Sequence, residues 1–81
     1  MGTKWTECGD VLSREVGLFL LEVWPSEETN GRPAWIWEIN VFGEEVACGS
    51  CASESDAQRE AEEWAKRAAR RILEDLGKEV P

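Results

Sequence analysis

The residues best suited to chemistry in this chain are its three cysteines, Cys8, Cys48 and Cys51. Cys48 and Cys51 form a C-x-x-C motif, a spacing at which two thiolates can share a zinc ion or close a redox-active disulfide. Structural zinc takes four ligands, and without histidine only Cys8 and a carboxylate are left to complete the set. A redox pair normally accompanies a βαβ unit, which the sequence does not predict. The motif is therefore interpreted as small residues at a junction between a strand and a helix.

Other features needed for catalysis are missing from the sequence. Without histidine there is no imidazole base to activate a serine or cysteine nucleophile. The paired acids Glu27-Glu28 and Glu44-Glu45 fall in predicted turns, where water solvates their carboxylates and nothing shields them for acid–base catalysis. We therefore expect a protein that is not an enzyme and that binds no cofactor or metal ion. A small thiol or zinc protein using the three cysteines stays as the chemical alternative.

The acidic residues are distributed unevenly along the chain. Residues 1–56 contain eleven acids and three bases, whereas residues 57–81 contain six of each, so the first part carries the whole net charge of −8. A strong field of one sign steers a small protein toward surfaces of the opposite charge. We expect a basic protein surface as the partner, and no direct binding of nucleic acid, because that requires a net basic footprint.

The size and composition of the chain are those of one globular domain, predicted to span residues 1–81. Of its 81 residues, 42% are hydrophobic and 32% are charged. No apolar run approaches the roughly eighteen residues that a membrane span needs, and the N-terminus does not resemble a signal peptide. The odd number of cysteines argues against a secreted disulfide scaffold. The sequence therefore predicts a cytoplasmic protein without a membrane partner.

The first two thirds of the chain predict β-strands. Apolar and aromatic residues are concentrated in two runs, which are separated by a polar loop containing the turn pair Asn30-Gly31. A tight turn at Gly43-Glu44 leads into a further short strand. The predicted strands comprise residues 17–24, 34–41 and 45 to about 48, with an additional N-terminal hairpin of residues 4–7 and 11–15 around Gly9-Asp10.

A single C-terminal helix is predicted from about residue 54 to 76. Ser53 and Ser55 are both suitable N-caps, Ser55 forms a capping-box pattern with Gln58, and Gly77 is a typical C-terminal stop. The fold class is therefore α+β: an antiparallel sheet of three to five strands (β-β-β-α) with one helix packed on one face. Apolar residues recurring every three or four positions predict the packed stripe: Ala57, Ala61, Trp64, Ala68, Ile72 and Leu76.

Alternation within the predicted strands separates two faces of the sheet. Trp35 and Trp37 share one face and, with Trp64 of the helix, are expected in the core. On the other face apolar residues alternate with acids, which is the composition of a partner-binding surface. The alternative left open is that the N-terminal segment, with Trp5, Val11 and Leu12, folds over this face. The candidate partner-binding residues are Glu22, Trp24, Glu27, Glu28, Ile36, Glu38, Glu44 and Glu45.

The second half of the chain resembles a double-stranded-RNA-binding domain. Three strands precede a helix, and small residues and serines occupy the junction, from Val46 to Ser53 and at Ala57. That family places basic residues at the start of the helix, where this chain has Glu54 and Asp56. The resemblance therefore implies the arrangement of strands and helix, and not RNA binding.

In size, acidity and bare α+β fold, the chain also resembles the small acidic single-domain proteins of phages and mobile elements, including many anti-CRISPR proteins. That resemblance implies inhibition by occupancy: an acidic face docks on the basic groove where a Cas protein or complex would hold DNA or RNA. The candidate carboxylates would stand in for phosphates, and Trp24 or Ile36 would supply the apolar anchor. A monomer is favoured. The competing interpretation is an accessory protein that dimerises through the open sheet face or an edge strand.

Overall fold

The computed structural model describes residues 5–79 of the chain, with side chains described as far as Glu74. An antiparallel five-stranded sheet precedes one helix, which confirms the predicted α+β class. Each strand lies next to its neighbours in the sequence. Within these residues, no helix combines the length and the apolar character needed to cross a membrane. The elements are β1 Thr6–Cys8, β2 Val11–Val16, β3 Phe19–Glu27, β4 Pro33–Val41, β5 Glu44–Cys51 and α1 Glu54–Glu79.

The core lies between α1 and the central strands β3 and β4. Trp37 is buried there, whereas Trp35 and Trp64, also expected in the core, are partly buried and pack against it. Three alanines of α1 are almost completely buried, so their small side chains allow the helix to approach the sheet closely. The buried core residues are Phe19, Leu21, Val23, Trp37, Ile39, Ala57, Ala61 and Ala65.

Strand β5 is longer than its sequence predicts and contains the whole C-x-x-C motif. The predicted end of this strand at about Cys48 was therefore wrong, and the motif forms the last four residues of the strand before α1. Strand β5 pairs with β4 as far as Cys51, which lies opposite Trp35. Pairing with a long neighbouring strand thus outweighs the weak strand propensity of glycine and serine. The register shifts between Ile39 and Asn40, where Val46 is the extra residue of a β-bulge.

The helix begins at Glu54, and its N-cap is Ser53. The Ser53 hydroxyl accepts a hydrogen bond from the Asp56 backbone N–H at 3.2 Å. The capping box predicted from Ser55 was wrong, because Ser55 already belongs to the first helical turn. Gly77 does not stop the helix, which continues to Glu79; glycine within a helix costs only about 1 kcal/mol relative to alanine.

The C-terminal part of α1 extends beyond the sheet. Trp64 packs edge-on against Phe19, the first residue of β3, with 5.9 Å between the ring centroids. The fifteen helical residues that follow Trp64 span about 22 Å. The side chain of Ile72, predicted in the packed stripe, is therefore 46% exposed. The side chain of Leu76 lies outside the described residues.

The predicted N-terminal hairpin is present as β1 and β2, which extend the sheet next to β3. Lys4, at the start of the predicted hairpin, lies outside the described residues. Trp5 and Leu12 pack against the core on the helix side. The Trp5 indole N–H donates to Glu62 of α1 at 2.9 Å, and Arg14 forms an ion pair with the same carboxylate. From Trp5 onward the segment therefore widens the sheet, with Val11 opposite Cys8 in the β1–β2 pair, and the alternative that the segment folds over the opposite face was wrong.

Candidate functional site

The sheet surface opposite α1 is the candidate site, and we term it the acidic face. Glu22 lies directly opposite Glu38, and Trp24 directly opposite Ile36, on the adjacent strands β3 and β4. Directly opposed residues of an antiparallel pair point to the same side of the sheet. Four of the eight sequence-predicted residues therefore share the centre of one surface. The acidic face comprises Glu15, Leu20, Glu22, Trp24, Ile36, Glu38, Asn40, Glu45 and Cys48.

The central feature of the acidic face is a pair of opposed carboxylates. Like charges directly across two strands are destabilising. Asn40 offsets part of this repulsion, because its side-chain N–H₂ donates to Glu38 Oε1 at 2.9 Å and to Glu22 Oε1 at 3.4 Å. The amide thereby orients both carboxylates without neutralising either of them.

The negative charge of this face is not balanced by bases on the strands. Glu15 on β2 and Glu45 on β5 place carboxylates on either side of the central pair, so four neighbouring strands each contribute one. Arg14 is the single basic residue within the five strands. It lies opposite Leu21, on the helix side, where it contacts Glu62. The strand residues of the acidic face are therefore all acidic or uncharged.

An apolar area adjoins the carboxylates. Trp24 and Ile36 are half-buried, and Leu20 is half-buried opposite Asn40. Half-buried apolar side chains on an otherwise polar sheet surface give a partner a place for direct apolar contact. The acidic face thus combines charge that acts at a distance with a smaller area that acts on contact.

The end of β3 and the loop that follows it carry two further acids, Glu27 and Glu28. The conformation of this loop is fixed by backbone hydrogen bonds from Glu28 N to Arg32 O at 2.9 Å and from Gly31 N to Glu28 O at 2.8 Å. Glu27 and Glu28 line a recess of about 380 Å³ that also contacts Ile36. These two acids therefore flank the apolar area at the end of the face opposite the β4–β5 turn.

A second recess, of about 560 Å³, lies at the end of the acidic face that is next to the β2–β3 and β4–β5 turns. It is lined by Glu15, Glu22 and Glu38 together with Leu18 and Phe42. Glu15 and Phe42 were not among the residues predicted from the sequence. The glycine of the predicted turn was a signal for Phe42, but the turn is formed by Phe42 and Gly43, one residue earlier than the predicted pair Gly43-Glu44.

Phe42 has an unusual backbone conformation. Phe42 and Gly43 have positive φ angles of 53° and 83°, as in the two-residue turns that suit the twist of a hairpin. Asparagine or aspartate usually precedes the glycine in such turns, and an aromatic residue there is uncommon. The Phe42 side chain is 86% exposed. The hairpin therefore holds an aromatic ring in solvent at a conformational cost of about 1–2 kcal/mol.

Glu44 and Glu45, adjacent in the sequence, lie on opposite sides of the sheet. Glu45 is opposite Asn40 and belongs to the acidic face. Glu44 is opposite Val41, which packs against the core on the helix side. Glu27, which is opposite Pro33, follows the alternation of the core residues Leu21 and Val23. Glu44 and Glu27 are thus the two members of the predicted set that the strand register separates from the others.

The cysteines of the C-x-x-C motif are also separated by the strand. Cys48 is exposed on the acidic face opposite Glu38, whereas Cys51 is opposite Trp35 on the helix side. Residues three apart in a strand point to opposite faces, so these two thiols cannot share a metal ion or form a disulfide with each other. Among the residues that the structure describes, no group of three potential metal ligands was found.

The surroundings of both thiols disfavour the thiolate. The Glu45 carboxylate accepts a hydrogen bond from the Cys48 thiol and, by its charge, also raises the pKa of Cys48. Burial raises the pKa of Cys51, with further contributions from Glu60 and Asp56. Reactive cysteines have a lowered pKa, so both shifts have the direction opposite to that of a nucleophile.

In comparisons with protein-family models, with curated protein sequences and with solved structures, no match to this chain was found.

Proposed function

We propose that this protein is an inhibitor that acts by binding, with the acidic face docked on the basic surface where a partner protein holds nucleic acid. The observation that carries the proposal is the set of four carboxylates on four neighbouring strands, with no base among the strand residues of that face. Neighbouring strands lie about 4.8 Å apart, with Glu22 directly opposite Glu38 and with Glu15 and Glu45 placed diagonally to this pair, so the acids form a compact cluster of negative charge on a rigid support. A nucleic-acid backbone likewise presents closely spaced negative charges.

The opposed pair Glu22 and Glu38 supports a cationic partner. In the free protein their repulsion is a cost, relieved only in part by Asn40. A lysine or arginine side chain placed between the two carboxylates would remove that cost and gain charge-assisted hydrogen bonds. Because the sheet already holds the carboxylates in position, little conformational entropy would be lost on binding.

The apolar residues of the face supply the contact that retains the partner. Trp24 and Ile36 lie beside the acids, and tryptophan is among the residues that most often dominate binding energy. Charge then accelerates encounter, whereas burial of the indole slows dissociation. This division of roles suits an inhibitor that must compete with nucleic acid for a basic groove.

The class of partner follows from the resemblance to anti-CRISPR proteins. It makes the DNA- or RNA-binding groove of a Cas protein or complex, in the cytoplasm of a host cell, the first surface to test. This chain would occupy the groove without binding nucleic acid itself and without catalysis, a cofactor or a metal ion. One copy of the chain suffices for that docking.

Charge reversal at the centre of the acidic face tests the proposal. Glu38→Arg should slow association with the Cas partner about tenfold at low salt and change dissociation much less, because it weakens steering. Glu7→Arg is the matched control, since Glu7 is exposed on β1 opposite Leu12, on the helix side. Surface plasmon resonance measures both rates, and circular dichroism checks that each variant folds. Equal slowing by the two substitutions would mean that net charge acts, and not this face.

A further inference from the structure

The exposed large apolar side chains of the described residues gather at one end of the molecule. Leu18 and Phe42 lie in the β2–β3 and β4–β5 turns, which adjoin the first residue of β3 and the last residue of β4. Val46 lies at the start of β5, and Ile72 and Leu73 lie on the part of α1 that extends past this end. Contiguous exposed apolar surface of this kind marks an interaction site. The exposed fractions are 61% for Leu18, 86% for Phe42, 46% for Val46, 46% for Ile72 and 71% for Leu73.

A groove of about 610 Å³ lies between this end of the sheet and the extended part of α1. Val41 and Val46 line the sheet side of the groove, and Trp64 and Ile72 line the helix side. Arg67 and Arg71 of α1 border it as well. The groove is therefore an apolar surface bordered on its helical side by two arginines, of which Arg67 also lies 3.8 Å from Glu63 of the same helix. It lies on the opposite side of the sheet from the acidic face.

The groove is also a place where α1 lacks support from its own chain. Ala68 still packs against the core, but residues 69–74 are all exposed, and helical segments of this length are marginal in water unless an apolar face is packed. Ile72 and Leu73 are apolar side chains suited to such packing, yet both are exposed. A partner that fills the groove would stabilise this half of the helix.

We propose that the occupant of this groove is a second copy of the same chain, related by a two-fold axis. The sheet side of the groove carries Glu44, exposed next to Val41, and the helix side carries Arg67 and Arg71. A two-fold rotation places the sheet side of one copy against the helix side of the other, so each Glu44 faces the partner's arginine pair. Such a patch is self-complementary, as a symmetric dimer requires.

The dimer accounts for two features that the acidic face leaves unexplained. The exposed Phe42 ring projects from the hairpin that carries Glu44, and in the dimer it enters the apolar groove of the other copy. Glu44, which the strand register separates from the acidic face, acquires an ion-pairing role. The carboxylates of both acidic faces stay free in the dimer, and Phe42, which also lines the recess beside Glu22 and Glu38, is a residue that the two surfaces share.

Light scattering coupled to size exclusion tests the dimer directly. The full-length chain at micromolar concentration should give twice the monomer mass of 9.1 kDa. Ile72→Glu places a charge in the interface at a half-exposed residue that lines the groove, so it should restore the monomer mass without reducing helix content by circular dichroism. A wild-type chain that stays monomeric at these concentrations would overturn the proposal, and the groove would then belong to a different partner.

A charge-swap experiment tests the pairing of the two copies. The doubly substituted chain Arg67→Glu/Arg71→Glu and the chain Glu44→Arg should each dimerise about tenfold more weakly, because both ion pairs become repulsive. Mixed together, the two chains should form a heterodimer, since every contact is then between opposite charges. Glu7→Arg, the same change on the β1 edge, should leave dimerisation unchanged. Failure of the mixed chains to associate more strongly than either chain alone would overturn the arrangement.

Discussion

Gly49 shows how a residue inside a reactive-looking motif can be required for packing. A Cβ atom at this position would lie 2.7 Å from three atoms of the Trp37 indole, closer than Cβ contacts occur. Trp37 is opposite Gly49 in the sheet, so its ring covers the glycine on the helix side. The strand therefore has glycine between Cys48 and Cys51 for a steric reason, and the C-x-x-C spacing needs no chemical explanation.

The exposed thiol of Cys48 gives a pH-dependent prediction. Because Glu45 raises its pKa, Cys48 in the folded protein should hold its proton at pH values where an ordinary thiol, with a pKa of 9.0, has begun to ionise. Its rate of alkylation by iodoacetamide should therefore rise at higher pH in the folded protein than in urea. Glu45→Gln should shift the folded profile back toward lower pH. Peptide mass spectrometry follows this site alone.

Two results would contradict this prediction for the Cys48 thiol. If folded Cys48 reacted faster than the unfolded chain near neutral pH, its thiolate would be stabilised and a nucleophilic or metal-binding role would return. A Glu45→Gln variant with an unchanged profile would show that the carboxylate does not control the thiol.

At the scale of elements, the position of α1 depends on three alanines that allow it to approach the sheet. Ala57 and Ala61 are fully buried, and Ala65 is 1% exposed. Larger side chains at these positions would push the helix away from β3 and β4. The Glu62 carboxylate of the same helix accepts hydrogen bonds from the side chains of Trp5, just before β1, and Arg14 of β2. Close packing and one polar contact thus fix the helix across the sheet.

Enlarging one of these alanines tests that packing. Ala61→Leu should lower the free energy of unfolding by about 1–3 kcal/mol, because extra carbon atoms enter a filled core. Ala69→Leu is the matched control, since Ala69 is exposed on the same helix and leucine has nearly the helix propensity of alanine. Urea denaturation measures both. If Ala61→Leu were as stable as Ala69→Leu, the space between helix and sheet at Ala61 would be unfilled, and the close packing of α1 against the sheet would be wrong.

The elements that could be predicted from the sequence are those with strong local patterns. Alternation in β3 and β4 and the alanine stripe in α1 identified the central strands, the helix and the buried face. The extent of β5 was not predictable, because its small residues are extended by pairing with β4. Gly77 failed as a stop signal for a related reason: a local preference of about 1 kcal/mol can be outweighed by the rest of the helix.

The candidate site was predictable where it depends on alternation and not where it depends on register or turns. Alternation along β3 and β4 was enough to put Glu22 with Trp24, and Ile36 with Glu38, on one surface. The β4–β5 turn and the bulge at Val46 decide on which side of the sheet the residues of β5, including Glu44, lie. Neither feature has a strong sequence signal, so the alternation of β4 could not be continued into β5. Glu15 joins the face only through the pairing of β2 with β3.

On the scale of the whole molecule, the two sides of the sheet differ in how their charges are mixed. The strand residues of the acidic face include four carboxylates and no base, whereas the helix side has both acids and the arginines of α1. The acidic face is thus the uniformly negative side of the sheet. Such a protein should approach a basic surface with its acidic face foremost, and its affinity should fall as salt screens the charges.

Competition between this protein and nucleic acid for one partner tests the central claim most directly. The partner, first a Cas protein or complex, is loaded with fluorescent DNA or RNA, and this chain is added at increasing salt while anisotropy is recorded. We predict displacement of the nucleic acid at low salt, with an inhibition constant that weakens steadily as salt increases. A complex in which the partner holds both this protein and its nucleic acid, with an affinity independent of salt, would contradict the claim.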